Sequence, residues 1–414
     1  MTQKVLINGA GIAGLAAARA FKRINPQTHV KVAEAFSQLR YEGAGIALPQ
    51  NAVEGLHLLG LSNAVNGYKT VEQVQYLNKQ SLLTSGSLLQ KPLGRYPFKA
   101  VHRQYLIEDL AEGLEPYIHF NHQALGFANQ GDHVEVQFND GSTERFDLVI
   151  GADGLHSKTR QHLIPGQGVQ DLQVPCWRFV AQYDTRDLQP QYYLGNGDIF
   201  MIYPIGAGQV YCYCHVPGSQ LDQAQANNPK AYLSSQFKDY AQPVTQLIEQ
   251  VSDDDITAGR LKTVGLLPYL YDQRMVLMGD AAHACSPMLQ QGAGMAFEDA
   301  WSLAYLVDHF GIDKGLSFYQ QFRLEHAHWV VSTSNEATHK VAQPVTQQAL
   351  QARDYHLSQA EPINIANWKL MFNKSFAERL KQFVAKKEEQ YSLFADPDSK
   401  FEKDVSSYPE PRLS

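Results

Sequence analysis

The stretch that decides the fold is KVLINGAGIAGLAAARAF, residues 4–21, near the start of the chain. It predicts a short apolar strand, a Gly-x-Gly-x-x-Gly turn made by Gly9, Gly11 and Gly14, and a helix rich in small residues. A second predicted strand, HVKVAE, ends in Glu34. This order of strand, glycine turn, helix, strand and acid is typical of a dinucleotide-binding unit. The motif alone does not distinguish FAD from NAD.

Each glycine of the turn has its own physical role. Gly9 allows the sharp turn after the strand, Gly11 lets the backbone approach a pyrophosphate, and Gly14 lets the helix pack closely against the sheet. The unpaired N–H groups at the start of the helix then favour the phosphates. The carboxylate of Glu34 is placed to accept hydrogen bonds from two ribose hydroxyls, and it would repel a 2′-phosphate.

Length and composition limit which classes of protein the chain can belong to. The 414 residues suggest two or three domains, and 44% hydrophobic residues suffice for large cores. A net charge of −7 gives no general attraction to nucleic acid, and no stretch is apolar and long enough to span a membrane. Cys212 and Cys214 have no second pair to complete a zinc site, so no metal site is predicted. We expect reduced cysteines in a cytoplasmic protein.

Three segments occur in order along the chain: GAGIAG at residues 9–14, GADGLHSKTR at 151–160, and GDAAHACSPMLQQGAGMAFEDA at 279–300. Together they resemble the single-component (class A) flavoprotein aromatic monooxygenases, the family of the p-hydroxybenzoate and salicylate hydroxylases. Two supporting segments of the family's type are GAGIALPQNAVEGLHLLGL at 43–61 and HRQYLIEDL at 102–110. The resemblance covers most of the chain.

The resemblance implies an α/β fold in which a Rossmann-like FAD-binding domain is interleaved with a β-sheet substrate domain and followed by C-terminal helices. The expected FAD-binding domain comprises residues 1–70, 100–165 and 270–340. The expected substrate domain comprises residues 71–99 and 166–269, and residues 341–414 form a C-terminal helical region with a polar tail.

The resemblance also implies bound FAD and gives further residues a role toward it. Asp280, at the end of an apolar strand predicted over residues 274–284, can accept from the ribityl hydroxyls, and Arg103 would neutralise the diphosphate. Asp153 belongs to a motif linked to both FAD and nicotinamide binding, and Pro287 would lie beside the isoalloxazine ring. The predicted cofactor-binding residues are Gly9, Gly11, Ile12, Ala13, Gly14, Glu34, Gly45, Arg103, Asp153, Asp280, Pro287, Gly292 and Ala293.

Some of these residues also have a purely structural interpretation. Asp153 would then be a turn residue, and Arg103 a surface charge at a helix start. His283 could be taken for a catalytic base, but we expect it to pack in the core and to make a local hydrogen bond. The chemistry is expected to centre on the flavin, and no residue is assigned a catalytic role. One position departs from the family pattern, since Gln290 stands where the family usually has the first glycine of Gly-Gln-Gly. If that position needs a positive φ, Gln290 would change the loop or the mobility of the flavin.

The implied reaction uses FAD, NAD(P)H and O2. The chain has a single Gly-x-Gly-x-x-Gly in a strand-to-helix context, so NAD(P)H is expected to dock transiently and reduce the flavin. By resemblance, a C4a-hydroperoxyflavin then hydroxylates a small aromatic or heteroaromatic substrate, in a monomer or homodimer. Three alternatives stay open: a halogenase, whose Trp-x-Trp-x-x-Ile-Pro signature is missing from the sequence, a flavin oxidoreductase without oxygen insertion, and a non-catalytic flavin-binding protein.

The substrate-binding residues are expected on a β-rich segment. In QVYCYCHV, residues 209–216, alternation places Tyr211, Tyr213 and His215 on one face and the two cysteines on the other. By resemblance this sheet covers the flavin ring, so the first face is a candidate substrate wall. Further candidates are Arg178, Tyr192, Phe200 and Tyr203. Alternatively, these side chains simply fill the core of the sheet or face solvent.

Overall fold

The computed structural model describes residues 3–41, 45–80, 87–89, 96–218, 227–360 and 363–392. The helices are Ile12–Ile24 (α1), Gln50–Leu58 (α2), Ser62–Gly67 (α3), Arg103–Ala111 (α4), Lys158–Leu163 (α5), Pro229–Gln236 (α6), Val244–Gln250 (α7), Asp280–His283 (α8), Gly292–Phe310 (α9), Ile312–Val341 (α10), Gln347–Gln359 (α11), Ile363–Met371 (α12) and Phe376–Ser392 (α13).

The strands are Lys4–Asn8 (β1), His29–Ala33 (β2), Gly45–Leu48 (β3), Lys69–Val71 (β4), Gln73–Leu77 (β5), Ser87–Leu88 (β6), Phe98–His102 (β7), Ile118–His119 (β8), Ala124–Asn129 (β9), Val134–Phe138 (β10), Thr143–Phe146 (β11), Leu148–Gly151 (β12), Val169–Gln182 (β13), Gln191–Leu194 (β14), Ile199–Gly206 (β15), Gln209–His215 (β16), Thr257–Val264 (β17), Tyr271–Asp272 (β18) and Met275–Leu277 (β19). Short 3-10 turns lie at Glu115–Tyr117, Asp253–Asp255 and Pro287–Leu289.

A six-stranded sheet in the order β18-β19-β12-β1-β2-β8 contains the glycine motif. Its strands are parallel except for the edge strand β18. The central strand β1 is fully buried at Val5, Leu6 and Ile7, as expected for a parallel strand covered on both faces. The carboxyl ends of β1, β2, β12 and β19 therefore meet at one edge of the sheet, which is where α/β folds bind ligands.

A second sheet has seven strands in the order β17-β13-β16-β15-β14-β5-β6. Helices α6 and α7 cover one of its faces, where their apolar side chains pack with Trp177, Phe179 and Cys212. The other face carries a row of tyrosines and turns toward the loop between β19 and α9. Two three-stranded sheets, β3-β7-β4 and β9-β10-β11, complete the architecture.

The predicted fold class is confirmed, because a parallel α/β sheet is combined with a second sheet and followed by helices. One predicted element is wrong. The strand expected over residues 274–284 ends at Leu277, since Gly279 has a φ of 57° and helix α8 begins at Asp280. The predicted polar tail lies outside the described residues beyond Ser392. Within the described ranges, no helix combines the length and apolar character needed to cross a bilayer.

A buried cluster of charges joins the helices behind the glycine motif. The guanidinium of Arg323, on α10, forms ion pairs with Glu298 and with Asp299 at 2.7 Å, and all three side chains are fully buried. Arg379, on α13, pairs with Glu298 at 3.1 Å. Burial alone would raise the pKa of Glu298, but Arg323 and Arg379 lower it to about 2. The fold therefore depends on keeping these charges matched.

Replacing Arg323 by Leu should lower the free energy of unfolding by about 3–5 kcal/mol, because two buried carboxylates would lose their cation. Urea denaturation measures this. The matched control is Lys340→Ala, which breaks an exposed pair with Glu336 and should change the free energy by less than about 0.5 kcal/mol. Equal effects of the two substitutions would contradict a structural role for the cluster.

Because of the same cluster, we expect the free energy of unfolding to decrease in acid. The pKa of Glu298 is depressed in the folded state from an ordinary value of 4.5 to about 2, so its stabilising effect is complete above pH 4.5. It should disappear as the pH falls from 4.5 toward 2, because the unfolded chain takes up the proton first. Urea denaturation across that range should show this slope, and the slope should flatten in Arg323→Leu.

Candidate active site

The starts of two helices meet at the end of strand β19. Gly279 follows that strand, and a Cβ at this position would lie 2.5 Å from the Cβ of Ala13, on α1, and 3.8 Å from that of Ala296, on α9. The first turns of α1 and α9 thus flank the same strand end. Helix N-termini carry free N–H groups and a positive partial charge, so this edge can bind an extended polyanion.

The glycines of this edge fall into two groups. A Cβ at Gly9 would lie 2.6 Å from the Ala152 carbonyl oxygen, and one at Gly14 would lie 1.8 Å from the Gly9 carbonyl oxygen, so close packing within the protein requires both. At Gly11 and Gly292, by contrast, a Cβ would meet no atom of the described residues within 4 Å. These two glycines leave open backbone at helix N-termini, as a pyrophosphate requires, and the residues therefore fit FAD.

Glu34 is fixed by backbone donors on both sides. One carboxylate oxygen accepts from the Ala10 N–H at 2.8 Å, and the other accepts from the Phe36 N–H at 3.0 Å. The side chain is 9% exposed, so it reaches the edge beside the glycine turn without being free to swing. Each carboxylate oxygen keeps further lone-pair capacity, which a pair of ribose hydroxyls can use.

Asp153 organises the turn that follows β12. Its carboxylate accepts from the Ser157 hydroxyl at 2.5 Å and from the Thr159 N–H at 3.0 Å, and it also accepts from the Asn8 side chain at 3.2 Å. These bonds tie the turn to the end of β1. The structure therefore supports a turn-forming role for Asp153 at the edge where FAD is expected.

The other predicted cofactor residues surround this edge. Arg103 begins α4 and donates to the carbonyl of Arg40 at 3.0 Å, beside an open cavity of about 510 Å³ lined by residues 36–41. Asp280 begins α8 with an exposed side chain, and Pro287 is exposed at the start of a 3-10 turn. Gly45 lies against the second sheet, because a Cβ there would be 2.5 Å from the Cβ of Tyr211.

The charge cluster supports the edge from behind. The Nε2 of His283 lies 2.5 Å from an oxygen of Asp299, and that oxygen also accepts from the Gly279 N–H at 3.0 Å. His283 is thus a buried support of the strand end. Sequence reasoning missed Glu298, Asp299 and Arg323. The signal was present, because two adjacent acids within the apolar run GMAFEDAWSLAYL must find buried partners.

The substrate candidates are brought together on one face of the seven-stranded sheet. Ladder pairs set this face, because Arg178 and Met201 both pair with Tyr213, and Tyr203 pairs with Tyr211. We call it the tyrosine face. Its members are Arg178, Tyr192, Met201, Tyr203, Tyr211, Tyr213 and His215.

Accessibility differs among these residues. Arg178, Tyr192, Met201 and Tyr211 are partly exposed, whereas the remaining three members are buried. His215 lies deepest, with its Nδ1 3.1 Å from the Tyr213 hydroxyl. Opposite this face, Met288 packs in the same apolar cluster as Met201 and Tyr211. The loop before α9 therefore packs against the tyrosine face.

The prediction that Phe200 belongs to the substrate wall is wrong. Phe200 pairs with Cys214 across the ladder, and directly paired residues point to the same side of a sheet. Its ring packs edge-on against Phe179 and Phe237 beneath the helices. The neighbouring Met201 lies on the tyrosine face instead. Sequence reasoning missed it, although alternation along β15 already places Met201 with Tyr203 on one face and Phe200 on the other.

Gln290 adopts the backbone conformation that a glycine would adopt at this position. Its φ is 55° and its ψ is 33°, in the left-handed region. The replacement of the family's usual glycine therefore leaves the loop in a positive-φ turn. Helix α9 begins directly after it, with Gln291 as its N-cap and Gly292 as its first residue.

Comparison with known proteins identifies the family. Residues 2–334 match a family model described as an FAD binding domain. Hispidin-3-hydroxylase of Neonothopanus nambi is 30% identical over 381 residues, covering 80% of this chain and 87% of the relative. Salicylate hydroxylase of Pseudomonas putida is 29% identical over 374 residues, covering 80% of this chain and 85% of the relative.

Solved structures share the fold. Klebsiella pneumoniae HpxO complexed with FAD and uric acid superposes with a TM-score of 0.81 at 23% identity, covering 92% of this chain and 97% of that chain. A salicylate hydroxylase substrate complex gives a TM-score of 0.74 at 22% identity, with 92% and 98% coverage. The architecture is therefore that of known flavoproteins.

The chain belongs to the FAD-binding family, because the family model spans most of its length. It is an FAD-dependent monooxygenase that hydroxylates aromatic compounds, and NAD(P)H is the reductant typical of these hydroxylases. The resemblance drawn from the three sequence motifs is thus confirmed.

Replacing Glu34 by Ala should raise the dissociation constant of FAD about ten- to hundredfold for each ribose hydrogen bond that is lost, because one charge-assisted hydrogen bond contributes roughly 1.5–3 kcal/mol. Titration of FAD with apoprotein, followed by flavin fluorescence, measures this. Asp184→Ala is the control, since that exposed carboxylate bonds locally with Arg186. An unchanged FAD affinity in Glu34→Ala would remove Glu34 from the site.

Proposed function

We propose that the enzyme hydroxylates a small aromatic or heteroaromatic substrate that carries a negative charge, and that Arg178 binds this charge on the tyrosine face. The observation that carries the proposal is the environment of Arg178. Its guanidinium lies 3.7 Å from the Cys176 sulfur and 6.0 Å from the centre of the Tyr213 ring. It makes no ion pair with any residue that the structure describes, and the ionisable groups that act on it are Cys176, Tyr211 and Tyr213.

The surrounding groups leave the charge of Arg178 uncompensated. Burial raises the pKa of the Cys176 thiol and of the Tyr211 and Tyr213 hydroxyls, which are the ionisable groups that act on the guanidinium, so all three side chains are neutral near pH 7. Partly buried cations are normally matched by an anion. An aromatic carboxylate or phenolate would supply that anion and present its ring to the tyrosines.

In this proposal each group of residues has a separate role in the reaction. When bound, FAD supplies the oxygen-inserting chemistry after reduction by NAD(P)H. Arg178 holds and orients the anionic group, while Tyr192, Met201 and Tyr211 contact the ring. The buried Tyr203, Tyr213 and His215 support these residues from beneath and help to keep water out. Orientation matters because a displacement of about 1 Å can cost on the order of a hundredfold in rate.

The remaining parts of the proposal concern the organisation of the chain. We place FAD binding on residues 1–70, 100–165 and 270–340, and the substrate domain on residues 71–99 and 166–269. We further propose a cytoplasmic enzyme, monomeric or homodimeric. The free state of all four cysteines supports a reducing compartment, and light scattering would give the oligomeric state.

A substrate screen tests the proposed function directly. Aromatic and heteroaromatic acids and phenols, with salicylate first, should stimulate NAD(P)H oxidation and give a product that contains one oxygen atom from O2, with CO2 as a second product where the hydroxyl replaces a carboxylate. Their neutral amides should stimulate it far less. Stimulation by neutral compounds alone, or oxidation of NAD(P)H without any oxygenated product, would contradict the proposal.

Replacing Arg178 by Gln should raise the KM for the anionic substrate about ten- to hundredfold, because a charged hydrogen bond contributes roughly 1.5–3 kcal/mol. The KM for the corresponding amide should change little. The control is Arg260→Gln, which removes an arginine of the adjacent strand β17 that pairs with Asp171 at 3.1 Å. Equal changes for acid and amide would show that Arg178 does not bind the charge.

A further inference from the structure

The loop that leads into α9 is hydrogen-bonded to the tyrosine face through the side chain of Gln290. The Nε2 of Gln290 lies 2.8 Å from the Tyr192 hydroxyl and 3.1 Å from the Tyr203 hydroxyl. The two hydroxyls are 2.8 Å apart, so the three groups form a closed triangle. The amide nitrogen has two hydrogens and can donate to both tyrosines, and one tyrosine can donate to the other. All of these polar groups thereby find partners.

The tyrosines of this triangle are themselves held rigidly. Tyr192 stacks on Tyr76 with ring centres 5.0 Å apart, and it meets Tyr203 edge-on at 5.9 Å. Tyr203 is only 1% exposed. The side chain of Gln290 therefore binds to a fixed part of the sheet. This contact also accounts for a residue other than glycine in the left-handed turn, because the amide bonds offset an unfavourable backbone.

Other contacts hold the loop independently of Gln290. The carbonyl of Leu289 accepts from the Trp368 indole N–H at 3.1 Å, and the Leu289 N–H donates to the Ser334 hydroxyl at 3.3 Å. Trp368 and Ser334 are fully buried and lie on α12 and α10. Loss of the Gln290 amide should therefore leave the loop folded and change only its attachment to the tyrosine face.

We propose that Gln290, Tyr192 and Tyr203 form a latch that sets the spacing between the loop before α9 and the tyrosine face. This spacing in turn controls how tightly NAD(P)H oxidation is coupled to hydroxylation. Gln290 is a positioning residue in this scheme. The inference rests on the proposed placement of the substrate against the tyrosine face.

Coupling has a defined chemical balance. In the coupled reaction NAD(P)H gives up two electrons, one atom of O2 enters the ring as a hydroxyl and the other leaves as water. In the uncoupled reaction the same two electrons and two protons convert O2 to hydrogen peroxide, and the substrate is unchanged. A looser latch should shift the balance toward peroxide, because the ring is then held less accurately.

Three single substitutions test the latch. Gln290→Gly removes the amide while supplying a residue suited to the left-handed turn, and Tyr192→Phe and Tyr203→Phe each remove one hydroxyl but keep the ring. Tyr193→Phe is the matched control, because its hydroxyl bonds to Gln191 at 3.1 Å and its ring lies on the opposite face of the sheet. The double variant Gln290→Gly with Tyr203→Phe tests whether the groups act together.

Two readouts are needed. The first is the fluorescence and visible circular dichroism of bound oxidised FAD without substrate, which should shift alike in the three variants while FAD content stays normal. The second is the ratio of peroxide to product with salicylate, or with the acid that gives most product in the screen. It should rise several-fold in each variant and no further in the double variant. Tyr193→Phe should match the parent in both readouts.

The outcomes separate this inference from the proposed function. An unchanged flavin signal and peroxide ratio in Gln290→Gly, or an equal rise in Tyr193→Phe, would overturn the latch. If Gln290→Gly no longer binds FAD, the flavin signal and the peroxide ratio of Tyr192→Phe and Tyr203→Phe test the latch instead. Unchanged values in both variants would then overturn it. The Arg178→Gln variant is judged separately. If it binds acids normally while the latch variants shift the flavin signal and the peroxide ratio, the latch is supported and Arg178 is rejected as the anion site.

Discussion

The structure depends on the pairing of Arg323 with Glu298 and Asp299 inside the protein. These charges cannot be left unmatched in an apolar interior, so they force α9, α10 and α13 into one arrangement. Asp299 extends this constraint to the strand end by accepting from the N–H of Gly279 and by bonding to His283. The buried ion pairs therefore fix the position of the cofactor edge from the side facing the protein interior. The groups expected to touch FAD lie on the opposite side of that edge.

A second constraint acts where the two sheets meet. The glycine at position 45 allows strand β3 to press against Tyr211, and Gln290 joins the loop before α9 to the tyrosine face. Both contacts bring the cofactor edge and the tyrosine face together. With the substrate placed against the tyrosine face as proposed, these contacts would hold its ring at a fixed distance from the flavin, which hydroxylation by a bound cofactor requires.

The glycine turn, Glu34 and the family motifs could be found from the sequence because their chemistry is local and carried by a few residues at fixed spacing. The charge cluster could not be assembled in this way, since Arg323 and Arg379 come from distant helices. At Phe200, alternation could have shown that Phe200 and Tyr203 lie on opposite faces of one strand, but it could not show which of the two lies on the tyrosine face. Pairing with Cys214 decides that, and pairing is a long-range property.

A crystal structure of the enzyme with FAD and an anionic aromatic substrate, grown without reductant, tests the central claim most directly. We expect the substrate ring to lie between the loop before α9 and the tyrosine face, with its charged group within hydrogen-bonding distance of Arg178. A substrate bound elsewhere, or one whose charged group is held by another residue while Arg178 stays without an anion, would contradict it.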